Sequence, residues 1–324
     1  MTGTDKEEGV ALKMGKDIRI VITGAAGLLG QNTVLLLRKR GYQNLVAIDK
    51  HRENLAVLKR LNPGIHAIEA DLAEAGNWQG AFRDADVLLQ MHAQITSPGL
   101  KEFQRNTVKA TENVLAAVKK YRVPYIVHIS SSVVISKADD DYTNTKKQQE
   151  KLVEDSGVRH CSLRPSLMFG WFDKKHLGWL SRFLKKTPVF PIPGDGKYLR
   201  QPIYAKDMAK VVIRAAEMQP EGKFNIIGRE DMDYIDIIKK IRKIVGGGMI
   251  VCIPYSLFRF LLDLYAVFCP HPPFTSQQLA ALTAGDYFHG DPWWEIFKVT
   301  PTPFDRAIKE TFASRAYSGI VLKP

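Results

Sequence analysis

The hydrophobic positions of this chain fall into short apolar runs separated by stretches of helical period. The runs are Ile18–Thr23 (IRIVIT), Asn44–Asp49, Ile65–Asp71, Asp86–Met91 and Tyr125–Ser131. Between them, Gly30–Gly41, Arg52–Leu61 and Phe103–Tyr121 repeat apolar residues at helical spacing, and Trp78–Ala85 leads into the fourth run. Near-continuous apolar runs alternating with helices predict buried strands of a parallel sheet covered on both faces. Connections this short favour right-handed crossovers, so the fold class is α/β with a doubly wound parallel sheet. A further helix is expected through Lys146–Gly157, then a strand and loop over Arg159–Gly170. Beyond it Pro188, Pro191, Pro193, Gly194 and Gly196 crowd together. That loosening marks a smaller, interleaved C-terminal lobe for substrate. The expected division is a disordered, polar leader over 1–16, a nucleotide-binding unit over 17–170, and a lobe over 171–324 with elements returning to the main sheet.

Met249–Phe268 (MIVCIPYSLFRFLLDLYAVF) is the most apolar segment, yet it carries Pro254, Arg259 and Asp263. Those residues argue against a membrane span. Two readings stay open: a helix packed in the core or in a homodimer, and an interfacial helix resting on an anionic membrane.

Composition changes the picture in two ways. The 46 Lys and Arg against 34 Asp and Glu give a formal net charge of +12, which draws the protein toward anions. No Lys/Arg tail or aromatic-interleaved basic stripe is present, which argues against nucleic acid. The three cysteines, Cys161, Cys252 and Cys269, are far apart and in no CxxC spacing. They suit free thiols in a reducing compartment, with no metal site. A cytoplasmic location is expected, with peripheral membrane placement as the open alternative.

The candidate chemistry starts at TGAAGLLG, Thr23–Gly30, between the first run and the first helix. Gly24, Gly27 and Gly30 permit a tight turn, close approach of backbone to a diphosphate and close helix packing. The helix N-terminus offers unpaired N–H groups to phosphates. Asp49 closes the second strand about twenty residues on, where an acid meets a ribose 2′-OH and disfavours a 2′-phosphate. NAD is therefore expected over NADP, although Lys50 and Arg52 adjoin it. Asp71 ends the third strand, facing the adenine edge or capping a turn.

Ligands of such sheets sit at the carboxyl ends of the strands. The fifth strand ends at Ser130–Ser132, and a helix begins near Asp139–Asp141. On that helix Tyr142 and Lys146 share a face at i and i+4. An adjacent ammonium and a positive nicotinamide would pull the phenol pKa down from ~10. Such a tyrosine suits proton exchange with a substrate alcohol.

TGAAGLLG, Asp49, the serines at a strand end and YTNTK (Tyr142–Lys146) together resemble the short-chain dehydrogenase/reductase superfamily, in its extended NAD-dependent epimerase/dehydratase branch. LRPSLMFG (Leu163–Gly170) is similar to the loop that packs on the nicotinamide, and RQPIYAKDMA (Arg200–Ala209) to a strand and helix start of the C-terminal lobe. The resemblance spans about Ile18 to Thr311 and implies a Rossmann-like sheet. It implies a catalytic set of Ser132 (Ser131 as second choice), Tyr142 and Lys146. It implies a cofactor site of Gly24, Gly27, Leu28, Leu29, Gly30, Asp49, Lys50, Asp71, Leu72, Met91, Ser130, Tyr142, Lys146 and Pro165. Ser132 and Arg200 would meet substrate, the latter at a diphosphate.

Departures narrow the activity. Val133 and Val134 replace the acidic pair of sugar-nucleotide dehydratases, which argues against dehydration. Leu167 stands where sugar epimerases carry an asparagine. The family's helix-four asparagine falls at Thr107, with Asn106 one position early. The short link from Ser132 to Tyr142 implies an open rim. Three functions remain: an NAD-dependent epimerase of a nucleotide-linked sugar with transient hydride transfer, a dehydrogenase or ketoreductase of a bulky apolar alcohol or ketone resembling hydroxysteroid dehydrogenases, and a non-catalytic dinucleotide-binding subunit.

Overall fold

The computed structural model describes residues 15–97, 99–269, 279, 283, 287–314 and 316–323. All but the last two residues of the expected leader lie outside the described residues.

The N-terminal strands are β1 (Ile20–Thr23), β2 (Leu45–Asp49), β3 (His66–Glu69), β4 (Val87–Gln90), β5 (Tyr125–Ile129) and β6 (Arg159–Pro165). With Gly222–Ile226 they form one seven-stranded parallel sheet, ordered Gly222–Ile226, β6, β5, β4, β1, β2, β3. β1, β2, β4 and β5 are buried at every position. That is why their sequences show continuous apolar runs rather than alternation. The side chains still divide by parity. Ile20 and Ile22 enter one core with Val34, Leu37, Met208 and Val212, whereas Val21 enters the other with Phe82, Val114 and Val118. The doubly wound sheet expected from the pattern is therefore present. Its order reverses between β1 and β4, which opens a crevice at their carboxyl ends.

The helices of this half are α1 (Leu28–Lys39), α2 (Arg52–Leu61), α3 (Leu100–Phe103), α4 (Ala110–Tyr121) and α5 (Asp141–Glu154). Gly41, at φ +90°, turns the chain out of α1. Trp78–Ala85 gives a 3₁₀ segment over Asn77–Phe82 rather than an α-helix. The single helix expected over Phe103–Tyr121 is interrupted: Gln104–Lys109 is a π turn linking α3 to α4. Such turns rotate the following side chains relative to a regular helix.

The C-terminal lobe has its own core, in which Leu180, Leu184, Ile192, Ile237, Ile241 and Phe304 meet. Three two-stranded pairs frame it, among them Leu199–Arg200 with Met232–Asp233 and Val189–Pro193 with Met249–Ile253. The helix Ala205–Met218 and the strand Gly222–Ile226 return to the main sheet.

Met249–Phe268 departs from expectation. Pro254 splits it: Met249–Ile253 is a strand, and Tyr255–Phe268 is a helix with no buried residue. Phe260 is 61% exposed and Phe268 79%. The helix thus adds no buried residue to the core, whereas Ile250 of the strand packs against the core of the C-terminal lobe. Among the described residues no helix is long and apolar enough to cross a membrane.

The segment 316–323 folds back onto the N-terminal half. Leu322, 3% exposed, packs with Leu35, Trp171 and Phe172. Asn54 on α2 clasps Lys323 through two hydrogen bonds: its Oδ1 accepts from Lys323 N at 2.8 Å, and its Nδ2 donates to the Lys323 carbonyl at 3.1 Å.

Candidate active site

The turn between β1 and α1 has three glycines for three physical reasons. Gly24 sits at φ +69°, and a Cβ there would lie 2.7 Å from His92 N on the neighbouring strand end. A Cβ on Gly30 would lie 2.4 Å from the Ala25 carbonyl, so α1 can pack on the turn only without one. Gly27 has ordinary backbone angles, and its Cβ would meet nothing nearer than Gly24 O at 3.4 Å. Gly27 lines the pocket, so the space beside its Cα is open to a ligand. No side chain caps α1. Its first N–H groups and positive dipole end are available to an anion.

Asp49, at the end of β2, accepts from Ala26 N at 2.9 Å through Oδ2 and from His51 N at 3.0 Å through Oδ1. It therefore braces the turn and retains lone pairs for a ribose hydroxyl. Asp71 takes up the turn-capping role anticipated for it, accepting from Ala73 N at 3.0 Å, and it also faces the pocket. Its ion pair with Arg105 at 2.7 Å outweighs the opposing effect of burial and holds its carboxyl below the usual range.

β5 delivers Ser130, and the chain then enters a 3₁₀ turn over Ser132–Ile135. The Asp140 carboxylate caps α5, accepting from Thr143 N at 2.8 Å. This start places Tyr142 at the pocket with its ring 6.4 Å from that of Phe103. Burial raises the Tyr142 pKa, and a hydrogen bond with the Ser131 hydroxyl opposes that rise. The depressed phenol pKa expected from sequence invoked a bound nicotinamide as well as the ammonium; in the protein alone burial dominates and the pKa is raised. The physical reason is that desolvation is not offset by the neighbouring ammonium. The hydroxyl engaging Tyr142 is that of Ser131, while Ser132 lines the pocket separately.

Lys146 is 1% exposed and lies behind the pocket wall. Its Nζ donates to the Ile129 carbonyl at 2.8 Å and to the Gln149 side chain. Burial pulls its pKa down to about 7. Gln149 in turn donates to the His92 carbonyl and to Thr111 Oγ1, each at 3.0 Å. His92 sits between Thr23 at 2.9 Å and Thr111 at 3.1 Å, and burial lowers its pKa to about 3, so the ring is neutral. The Glu150–Arg164 ion pair, with both side chains largely buried, ties α5 to β6.

These elements surround one pocket of about 710 Å³. Of the residues anticipated from sequence, Gly24, Gly27, Leu28, Asp49, Lys50, Asp71, Leu72, Met91, Ser130, Ser132, Tyr142, Pro165 and Arg200 line it. Leu29 instead packs in the core, Gly30 packs on Ala25, and Lys146 stands behind. The π turn accounts for the helix-four ambiguity. Asn106 lines the pocket and donates to Gln94 Oε1 at 2.9 Å, whereas buried Thr107 accepts from Gln94 N at 3.0 Å.

Several pocket residues had no role in the sequence reading. Lys174 and Lys175 follow Gly170 in a loop whose dibasic pair was the available signal. Gln201 brings Phe288 to the pocket, accepting from Phe288 N at 2.9 Å. Neither Phe288 nor Leu322 carries any local signal.

The chain is similar to several known proteins. Short-chain dehydrogenase/reductase family 42E member 1 of Homo sapiens is 25% identical over 241 residues, covering 64% of this chain. The match spans only 60% of that protein's length. A 4-hydroxy-2-methyl-3-oxo-4-farnesyl-3,4-dihydroquinoline-1-oxide ketoreductase of Stigmatella aurantiaca is 26% identical over 226 residues, covering 64% of this chain and 66% of that protein. Among solved structures, UDP-glucuronic acid 4-epimerase from Bacillus cereus in complex with NAD superposes with a TM-score of 0.72 at 20% identity, covering 94% of this chain and 99% of that one. That likeness concerns the fold. The sequence model of the NAD dependent epimerase/dehydratase family matches residues 20–227, the span that holds the glycine turn, Asp49, Tyr142 and Lys146, and the chain belongs to that family.

Proposed function

We propose that this protein is an oxidoreductase-type epimerase of a nucleotide-linked sugar, with Tyr142 as the proton acid and base. The observation that carries the reading is the Tyr142 phenol, set against Ser131 in the same pocket as the glycine turn. Gly24, Gly27 and the start of α1 would hold the diphosphate of NAD, with Asp49 at its adenosine ribose. When bound, NAD would supply a hydride acceptor and donor for the substrate carbon. Tyr142 takes the hydroxyl proton and returns it, and Ser131 and Ser132 orient the substrate oxygen. Lys146 acts from behind, holding the β5 end and the Gln149–His92 network. Arg200, whose Nη1 donates to the Leu199 carbonyl at 2.7 Å, faces the pocket as the cation for a substrate phosphate. Purified protein tests the reading. Retained NAD, with no net change in NADH absorbance during turnover of a UDP-sugar, is expected. Failure of every nucleotide-sugar to raise the melting temperature would sink it.

A second reading, net reduction of a bulky apolar ketone, is favoured by one observation. Ile95, Val133, Leu167, Met168 and Phe288 give the pocket an apolar wall. Stoichiometric NADH consumption with such a ketone would select it.

We also assign Tyr255–Phe268 to peripheral contact with an anionic membrane. Its apolar stripe and its Arg259–Asp263 face are both exposed, and the net charge favours an acidic surface.

A further inference from the structure

The glycine turn holds no cationic side chain: Thr23–Gly30 is neutral, and the first turn of α1 has none. A diphosphate seated there carries two negative charges and meets only N–H groups and a helix dipole. The loop between the strand Met168–Phe169 and the helix Leu177–Lys186 lies directly above. Asn32, on the second turn of α1, donates to the Trp171 carbonyl at 3.0 Å, and Trp171 and Phe172 pack against Leu28 and Leu35. The loop then crosses the pocket. At one edge Lys174 Nζ donates to the Lys323 carbonyl, which Asn54 fixes beside the end of β2. At the other edge Lys175 Nζ donates to Thr96 Oγ1 at 2.6 Å, on the segment following β4.

The loop is built to hold this position. Asp173 accepts from Lys175 N, His176 N and Gly178 N, each at 2.9 Å, so its carboxylate is directed into the loop and away from the lysines. Phe172 sits at φ +72°, a conformation that bulky residues seldom adopt and that persists only when the surroundings impose it. A Cβ on Gly178 would collide with the Asp173 carbonyl. Among the described residues neither lysine ammonium forms an ion pair. Both line the pocket, and both rest on neutral oxygens. Burial lowers the pKa of both, against the pull of the Asp49 carboxylate on Lys174, and that of Lys175 falls to about 8 with Lys174 beside it adding to the fall.

We infer that Lys174 and Lys175 form a cationic clamp over the cofactor diphosphate, exchanging the Lys323 carbonyl and the Thr96 hydroxyl for phosphate oxygens when a dinucleotide enters. The inference rests on the dinucleotide reading above and names the residues that neutralise the charge. The exchange would release the loop from the Thr96 hydroxyl and the Lys323 carbonyl and re-anchor it on the diphosphate.

The test is calorimetric titration of the full chain, stripped of any retained NAD, with ADP-ribose, NAD, a UDP-sugar and adenosine, at low and high salt. Wild type is compared with Lys174→Gln, Lys175→Gln, the double variant and Lys175→Arg, with melting curves confirming that each is folded. ADP-ribose affinity should fall about tenfold per lysine, as for loss of one charge-assisted hydrogen bond. The salt dependence should flatten, adenosine affinity should not change, and Lys175→Arg should recover most of the loss. ADP-ribose affinity within twofold of wild type in the folded double variant would overturn the clamp. So would an equal loss for adenosine, or a loss confined to nucleotide-sugars. If wild type binds neither ADP-ribose nor NAD, the dinucleotide reading itself has failed, and the two failures are told apart by the wild-type titration alone.

Discussion

Tyr142 and Lys146 stand one turn apart on α5 but occupy different environments. The phenol faces the pocket and Ser131, while the ammonium is sealed behind it against the Ile129 carbonyl and Gln149. In the proposed function the tyrosine would therefore be the reacting group and the lysine its support. Tyr142→Phe should lower kcat by about 100-fold or more, the usual worth of a positioned acid–base group. Cofactor affinity, read by titration of the same variant, should stay within about twofold. A variant that retains its turnover would remove Tyr142 from the chemistry.

The two serines should separate in a pH profile. Ser131 holds the Tyr142 pKa down against burial. Its removal in Ser131→Ala should move the rising limb of kcat/KM, where the phenolate forms, to higher pH. Ser132→Ala should leave that limb in place and act mainly on KM. Identical profiles for the two variants would contradict the geometry.

Lys146 gives a stability signature. Its pKa falls from 10.5 to about 7 on folding, so between those values the unfolded chain binds more protons. Stability must then rise with pH across that window, the buried charge costing most at and below pH about 7. Measured against Lys146→Met, wild-type melting should gain steadily from near-neutral pH toward pH 10.5. A difference that is flat with pH would mean that the lysine is not charge-strained in the fold.

The glycines should divide into structural and ligand-facing. Gly30→Ala forces a Cβ to 2.4 Å from the Ala25 carbonyl and should cost about 1–3 kcal/mol of stability, read by denaturant melts. Gly27→Ala meets open pocket and should leave the melt near wild type while weakening NAD by about tenfold or more. A reversed pattern would contradict the arrangement of the turn.

The exposed helix makes a surface prediction. Phe260→Glu with Phe268→Glu should reduce co-sedimentation with phosphatidylserine-containing vesicles by about tenfold or more, with no loss of melting temperature. If the wild type runs as a dimer, ignores vesicles and becomes monomeric in the variant, the helix is a subunit interface and the membrane assignment is wrong.

What was legible in the chain follows from how locally each feature is encoded. β1, β2, β4 and β5 could be read because strands buried on both faces must be apolar throughout. The glycine turn could be read because its conformation demands specific residues at fixed spacing. Tyr142 and Lys146 could be placed on one face by helical period, yet that period says nothing about depth, and so the burial that raises the phenol pKa in the protein alone was not legible. Pro254 was visible as a break, but only packing decides that a strand precedes it and a bare helix follows. The π turn at Gln104–Lys109 shifts Asn106 and Thr107 by a rotation that no spacing rule carries. Phe288 and Leu322 reach the pocket through tertiary contacts alone.

The clasp between Asn54 and Lys323 joins residues 269 apart along the chain. The main sheet can pair most of its strands long before the second of these residues has been synthesised, but the pocket cannot acquire its Leu322 wall until then. Completion of this pocket wall therefore waits on the last described residues of the chain, whereas the sheet beneath it does not. A nascent chain halted short of residue 316 would carry a folded glycine turn and an unfinished cavity.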